Sequence, residues 1–368
     1  MRKILAVAAI AALALTGCGR ADDTTTGASG SASASVNPAD ITVGVAMPTK
    51  TSERWIKDGD YMKQQLEAAG YKVNLQYAND DIPTQVTQLQ DMITKKNDVL
   101  VVASIDGTAL KGALADAKAD GIPVIAYDRL LRDTDAVQYY TTFDNLKVGK
   151  LQAESLLKGL EASGKPKPWN VELFAGSPDD NNATFFFNGA MEVLQPKIDD
   201  GTIKIQSGET DFKTVATLRW DAAVAKKRME NLLTKSYSDK DVNGVLAPYD
   251  GLSRGILAAL KGSGYGAGEK DLPVVTGQDA ELASVKSIIA GEQTSTVYKD
   301  TRELAKQAVA MADAVLNGTT APVNDTTQYN NGKKVVPAYL LPPVAVDKSN
   351  YEKELVGGGY YTDAQIKG

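Results

Sequence analysis

Gly121-Ile-Pro-Val-Ile-Ala-Tyr-Asp-Arg129 is the stretch that decides the fold. Its glycine closes the element before it, and a proline at a strand's start removes no ladder donor that the strand needs. Five of the six residues between Gly121 and Asp128 are apolar, and the run stops at the charged pair Asp128-Arg129. An unbroken apolar run, rather than an alternating one, reads as a strand buried on both faces of a parallel sheet. Ligands of open α/β sheets bind just beyond the carboxyl ends of strands. An acid beside a guanidinium at that point makes a polar clamp, although taken alone the dipeptide reads more simply as a surface ion pair.

Outward from this strand the same unit repeats. Upstream, Ile41–Met47, Lys72–Ala78 and Val99–Ser104 read as strands. A helix from Thr51/Ser52 to about Ala69, another over Thr84–Lys95 and a third over Thr108–Asp120 lie between them. Val137–Phe143 is a short extended piece leading out of this series. Downstream, strands are predicted at Asn170–Ala175, Ile203–Ser207, Gly244–Tyr249, Leu272–Gln278 and Thr294–Tyr298. They alternate with helices over Asn145–Leu160, Asn182–Leu194, Asp221–Lys235, Leu252–Leu260, Leu282–Ile289 and Arg302–Leu316. Asn331-Gly332 is a hairpin turn signal. Strand and helix alternating over short connections signal βαβ units. Two such series predict an α/β chain of two Rossmann-like, doubly wound parallel-sheet lobes, with a cleft between their strand ends.

The bulk numbers agree with an exported two-domain protein. The chain has 368 residues, enough for two ordinary domains, and 43% of them are apolar. Arg2 and Lys3 precede an apolar run, Ile4 to Leu15, which is too short for a membrane span and reads as a secretory signal over residues 1–17. Leu15-Thr16-Gly17-Cys18 resembles a bacterial lipobox, so Cys18 is the expected lipidation site; a plain signal with an incidental cysteine is the alternative. Cys18 is the single cysteine, which leaves the exported chain without an internal disulfide. Residues 18–40 read as the lipidated cysteine and a flexible tether. Removing 1–17 leaves 40 − 2 = 38 basic against 46 acidic residues, a net of −8. An acidic chain without a basic cluster argues against nucleic acid and anionic lipid as partners. Histidine is absent, and with it the commonest general base and metal ligand.

Motifs that suggest cofactors fail on inspection. Gly159-x4-Gly164-Lys165 carries Pro166 where a phosphate loop needs a hydroxyl, and it follows a helix. Gly264-Tyr-Gly266-Ala-Gly268 lacks dinucleotide spacing. Asp179-Asp180-Asn181-Asn182 reads either as a cluster of hard oxygens for a metal or as a helix N-cap. No cofactor and no metal are expected.

A shared position is more informative. Asp128, Asp250 and Asp279 each end an apolar strand, Lys299 ends a fourth, and Arg54-Trp55 follows the first. Such a set suits a neutral polyol. Every sugar hydroxyl both donates and accepts, and burying one unpaired costs about 1–3 kcal/mol. Carboxylates accept and Arg or Lys donates, through charge-assisted bonds. The C–H faces of a pyranose suit a flat indole such as Trp55 or Trp220, each of which reads equally as a core residue; Trp169 reads as structural.

These residues carry a family resemblance over nearly all of residues 41–364. Glu53-Arg54-Trp55, Ala126-Tyr-Asp128-Arg129, Gly176-Ser-Pro-Asp-Asp180-Asn-Asn182, Gly277-Gln-Asp279-Ala and Val297-Tyr-Lys299 together resemble the sugar-binding lipoproteins of the type I periplasmic binding-protein group. The match is to its multiple-monosaccharide (ChvE-like) and xylose-binding branches. The resemblance implies a non-enzymatic cleft binder, monomeric and lipid-anchored outside the cytoplasmic membrane. It would deliver an aldose such as glucose, galactose, xylose or arabinose to the permease and ATPase of an ABC importer. It places Arg54, Asp128 and Arg129 on the sugar from the first lobe, with Lys299, and Asp180, Asn182, Asp250 and Asp279 from the second. Trp55 and Trp220 would sandwich the ring. Asp250, after Pro248-Tyr249, stands where xylose-binding relatives have Asn, which points away from strict pentose specificity. The resemblance also implies a three-strand hinge. Its expected crossings near 144, 280 and 322 give a first lobe of 41–144 plus 281–321 and a second of 145–280 plus 322–368. An exported glycoside hydrolase, which needs only paired carboxylates, and a sugar-sensing partner of a chemoreceptor or sensor kinase are the competing functions.

Overall fold

A computed structural model describes residues 37–268 and 270–368. The expected signal segment 1–17, Cys18 and the tether as far as residue 36 lie outside the described residues. The last tether residues are ordered into the fold: Asn37 caps a one-turn helix, Pro38–Asp40, by accepting the Ala39 N–H at 3.3 Å. Among the described residues no helix is long and apolar enough to cross a membrane.

In chain order the strands are β1 Thr42–Met47, β2 Lys72–Tyr77, β3 Val99–Val102, β4 Val124–Tyr127, β5 Val137–Phe143 and β6 Trp169–Leu173. They continue as β7 Ile203–Ile205, β8 Gly244–Leu246, β9 Val274–Val275, β10 Ser295–Tyr298, β11 Ala338–Leu341 and β12 Val344–Asp347. The first sheet is wholly parallel, in the order β11-β5-β4-β3-β1-β2. The second is parallel in the order β7-β6-β8-β9. Backbone bonds from Thr294 N to Val275 O (2.9 Å) and from Asp279 N to Val297 O (2.8 Å) carry it on to β10, which pairs antiparallel with β12.

Every residue of β3 and β4 is buried, as their unbroken apolar runs require. Helices Glu53–Ala68 and Thr301–Leu316 cover one face of the first sheet with Met62, Leu66, Leu304 and Met311. Helices Ile82–Thr94 and Lys111–Ala119 cover the other with Leu89, Met92 and Leu114. In the second lobe, helices Asn145–Ala162 and Asn181–Asp199 bury Leu156, Leu160, Phe187 and Leu194 against one face. Helices Ala222–Ser236 and Asp250–Gly262 bury Met229, Leu252 and Ile256 against the other. Each such side chain contributes about 1.5–3 kcal/mol on burial.

The strand ladders move two of the expected crossings. Helix Leu282–Ala290 and β10 pack in the second lobe, in a core of Ala280, Val285, Tyr298, Val346 and Leu355. The chain returns to the first lobe only after Lys299, through helix Thr301–Leu316. Residues 322–341 then stay there, because β11 pairs with the outer edge of β5, Ala338 opposite Tyr140. The last crossing falls between β11 and β12, at 342–343. Ala-Tyr-Leu-Leu (338–341) is apolar enough for either sheet. The free edge of β5 decides its place, and an edge is not written in the hydrophobic pattern. The Asn331-Gly332 turn forms as a tight antiparallel bridge between Asn330 and Val335.

Candidate functional site

The carboxyl ends of both sheets face one cleft. In the first lobe, β1 delivers the chain to the first turn of helix Glu53–Ala68, which places Arg54 and Trp55 at the floor; both are buried. Arg54 Nε donates to Asp58 Oδ2 at 2.9 Å and Nη2 donates to Asp128 Oδ2 at 3.0 Å, while Nη1 stands 3.8 Å from Asp279 Oδ1. The guanidinium lies 4.5 Å over the Trp55 ring, with that of Arg129 at 5.1 Å. Burial acts to raise the Asp128 carboxyl, but Arg54, Lys299 and Arg129 outweigh it and hold the group below its ordinary value. Asp128 follows β4 with φ +57, a left-handed conformation that Asp tolerates better than most residues. Its carbonyl accepts from Tyr140 Oη (2.6 Å), Thr142 Oγ1 (2.9 Å) and Asn182 Nδ2 (2.7 Å).

The second lobe supplies the opposite wall. Asp180 caps helix Asn181–Asp199, accepting the Asn182 N–H at 2.9 Å, while its other oxygen takes Trp220 Nε1 at 3.3 Å and stands 3.1 Å from Arg129 Nε. Burial raises its carboxyl; Arg129 opposes this and Asp128 adds to it. Asn182 is committed across the cleft, since its Nδ2 donates to the Asp128 carbonyl at 2.7 Å and its Oδ1 lies 3.0 Å from Tyr140 Oη. Trp220 is half-buried and edge-on to Phe186 and Tyr249. It can lie where it does because residue 176 is glycine: a Cβ there would sit 1.9 Å from the indole. Asp179 is taken up by Ser177 Oγ (2.5 Å) and Arg219 Nη1 (3.0 Å). Of the two readings of Asp179–Asn182, the N-cap is therefore the one seen, and no group of three metal-ligating side chains occurs among the described residues.

At the strand ends, Asp279 (φ +88) pairs with Lys299 Nζ at 2.9 Å. Lys299 follows β10 and so comes from the second sheet, not from the first lobe as expected. Asp250 also departs from expectation. It is fully buried behind Gly277, with Oδ2 accepting the Glu281 N–H and Oδ1 accepting Gln293 Nε2, each at 2.8 Å. Burial, with Glu281 and Asp279 nearby, raises its carboxyl well above the ordinary value. It supports the turn that carries Asp279 and does not line the cleft.

The space between the lobes is about 550 Å³, part of it opening to solvent. Arg54, Trp55, Asp128, Arg129, Asp180, Asn182, Trp220, Asp279 and Lys299 all line it. So do Thr49, Thr51, Ser52, Asp80, Phe186, Arg219, Tyr249 and Gln278, which were not anticipated. Three of these adjoin expected residues: Gln278 precedes Asp279, Arg219 precedes Trp220, and Tyr249 precedes Asp250. The lining is electrically balanced, with four cations (Arg54, Arg129, Arg219, Lys299) against four carboxylates (Asp80, Asp128, Asp180, Asp279). Gln278 Oε1 is buried there without a hydrogen-bond partner among the described residues, while Arg129 Nε, Arg219 Nη1 and Asp279 Oδ1 meet only their ion-pair partners Asp180, Asp179 and Lys299. Native proteins keep few such atoms, and each calls for a reason. Arg219 and Trp220 also have positive φ (+59 and +57), a backbone strain typical of ligand clamps.

Beside the cleft, Glu281 joins the lobes. It accepts Ser52 Oγ (3.0 Å) from the first lobe and Tyr249 Oη (2.7 Å) and Arg254 Nη2 (2.6 Å) from the second. Glu53 reciprocates by accepting the Leu282 N–H at 3.2 Å and Tyr361 Oη at 3.1 Å.

Comparison with known proteins adds to this geometry. Residues 43–320 match the family described as the periplasmic binding protein domain. The chain is 59% identical over 326 residues to the multiple sugar-binding periplasmic receptor ChvE of Rhizobium radiobacter, spanning 89% of this chain and 92% of that one. It is 38% identical over 334 residues to the D-xylose-binding periplasmic protein of Haemophilus influenzae, spanning 91% and 94%. It also superposes, with a TM-score of 0.84 and 46% identity, on an ABC transporter solute binding protein from Clostridium phytofermentans with bound β-D-glucose, covering 88% of this chain and 99% of the other.

Proposed function

The chain belongs to the periplasmic binding protein domain family, and on that premise we propose that it is an extracytoplasmic receptor that captures a monosaccharide between its lobes for an ABC importer. The observation that carries this reading is the charge-balanced lining: four cations and four carboxylates cancel, yet keep N–H groups and lone pairs facing the cleft. An anionic ligand would need an excess of positive charge. A neutral polyol needs both donors and acceptors, and charged partners make the stronger bonds. Trp55 and Trp220 offer apolar faces for the ring C–H groups.

Each lobe holds part of the hydrogen-bonding set: Arg54, Asp128 and Arg129 in the first, Asp180, Trp220, Gln278, Asp279 and Lys299 in the second. Periplasmic binding proteins are a type case of hinge closure. Only the closed spacing satisfies the whole ligand, so the ligand favours closure by its differential affinity for that state. The importer's permease and ATPase then receive a protein whose lobes report occupancy. Cys18 is the expected lipid anchor, and the receptor acts as a monomer outside the membrane.

Calorimetry of the mature chain with D-glucose, D-galactose, D-xylose and L-arabinose tests the reading. Binding of at least one aldose at micromolar or tighter affinity is expected, and failure of all would overturn it. A second reading has one observation in its favour: Asp128 is held down while Asp180 is raised, as in the acid and nucleophile of a glycosidase. Against it, Asp180 already accepts from a backbone N–H and an indole N–H. We expect no phenol release from aryl glycosides; release abolished by Asp180→Asn would favour the hydrolase.

A further inference from the structure

Below the cleft floor lies a carboxylate that this reading does not use. Asp58 is 0% exposed and absent from the cavity lining, one helical turn after Arg54. Its Oδ2 accepts Arg54 Nε at 2.9 Å and lies 2.8 Å from Nη2; its Oδ1 accepts Tyr127 Oη at 2.5 Å. A buried ion is expensive, and an apolar residue of similar size is often at least as stable in such a place. The flanking inward positions of this helix, Met62 and Leu66, are indeed apolar. Nor is Asp58 needed merely to neutralise Arg54, which already has Asp128 at 3.0 Å and Asp279 at 3.8 Å. Its distinctive contribution is geometric. Contacts to Nε and Nη2 fix the plane of the guanidinium from one edge, while Nη1 makes no hydrogen bond among the described residues.

We propose that Asp58 is a positioning residue for sugar binding: it grips Arg54 from beneath and holds the free Nη1 edge toward the cleft, so that affinity depends on a carboxylate the ligand never touches. This rests on the reading of the cleft as a sugar site. The coupling gives the residue a signature of its own. Burial pushes the Asp58 carboxyl up to about 6; Arg54 opposes this, Asp128 adds to it and the Tyr127 hydroxyl opposes it. Tyr61 on its own helix, Tyr77 of β2 and Tyr360 from the C-terminal segment also feel its charge. Protonation weakens the hold on Arg54. A ligand that prefers the ionised form must therefore bind less tightly as pH falls through this midpoint, by linkage.

The test is the calorimetric Kd of the mature chain for D-glucose from about pH 5 to about pH 8, beside Asp58→Asn and Tyr127→Phe. In the wild type Kd rises below the midpoint, by up to about tenfold per pH unit. Asp58→Asn binds roughly tenfold or more weakly near neutrality, in line with loss of a charge-assisted contact, and its profile is flat where the wild type bends. Tyr127→Phe removes a donor to the carboxylate and moves the bend to higher pH, and it keeps the proposal testable should Asp58→Asn fail to fold. A ligand-free arm follows the Arg54 Nε resonance by NMR, which shifts with the same midpoint in the wild type. A wild-type bend that survives in Asp58→Asn, or an Arg54 signal that does not titrate, overturns the proposal; in the first case Asp180 would be the titrating group. An Arg54 titration in a chain that binds no sugar defeats the functional reading instead.

Discussion

Replacing Asp128 by Asn separates the site's charge from its shape. The carbonyl bonds to Tyr140, Thr142 and Asn182 are made by the backbone and survive the change. The side chain loses its charge, and with it the pairing of Oδ2 with Arg54 Nη2 at 3.0 Å. Breaking a buried pair outright costs about 3–5 kcal/mol because a charge is orphaned. Here Arg54 keeps Asp58 and Asp279, so the loss of stability should be smaller, about 1–3 kcal/mol. That corresponds to a fall in Tm of about 2–4 °C for each kcal/mol. The Asp128 carboxyl lies below its ordinary value in the fold. Its contribution is therefore fully present above the unfolded value near 3.9 and is lost as pH falls through the lower folded one, so variant and wild type converge in strong acid. Binding should suffer separately. A hydrogen bond from a sugar hydroxyl to a carboxylate is worth about 1.5–3 kcal/mol, or about 10- to 150-fold in Kd. Calorimetry with D-glucose, beside thermal melts with and without sugar, reads both effects. A Kd within about twofold of wild type, with the melt shifted as stated, would show that Asp128 only balances Arg54 and that the ligand lies elsewhere.

Three further changes probe neighbouring parts of the machinery. Gly176→Ala places a methyl 1.9 Å from the Trp220 ring; overpacking of about 1–3 kcal/mol should displace the indole, quench sugar-induced changes in tryptophan fluorescence and weaken binding, and an unaltered fluorescence response would contradict the stacking role. Asp250→Asn removes a buried carboxyl whose folded pKa is raised. Such a group favours the fold most below the unfolded value near 3.9 and loses that advantage as pH rises, whereas Asn loses one of the two bonds accepted from Glu281 N–H and Gln293 Nε2 at every pH, so the variant should melt below wild type in acid and gain on it toward neutrality; a Tm difference independent of pH would refute this. Glu281→Gln loosens the bond to Ser52 and the pairing with Arg254. Stopped-flow release of D-glucose should be about tenfold faster, with the rank order of sugars unchanged; an unchanged release rate would remove Glu281 from the closure.

The core of both lobes was legible because its signal is local. A strand such as Val-Leu-Val-Val (99–102) is apolar at every position and buried at every position, and capping residues mark where helices begin. The observed helix begins two residues before the expected Thr84–Lys95, since Asp81 caps Ile82–Thr94 by accepting the Thr84 N–H at 2.9 Å, with proline in the first turn. The hinge was not local. Whether residues 322–341 return to the first sheet depends on the unfilled edge of β5, a property of partners more than a hundred residues away.

The site divides along the same line. A parallel sheet sends its strand ends all to one side, which is why Asp128 meets Asp279 and Lys299 although it lies far from both in sequence. The same rule cannot say which of two adjacent side chains faces the cleft. At 249–250 and 278–279 the chain turns sharply: Tyr249 and Gln278 line the space, while Asp250 turns back to the Glu281 N–H. Asp279 reaches its place through φ +88, a local strain that the surrounding contacts must hold. Asp58 was harder still, since one acid among the charged residues of an amphipathic helix reads as solvated surface. Its burial follows from the pairing with Arg54, and that pairing follows from where β4 places Asp128 and Tyr127. Side chains that touch a ligand can be inferred from the ends of elements, but those that aim them become visible only when two elements are brought together.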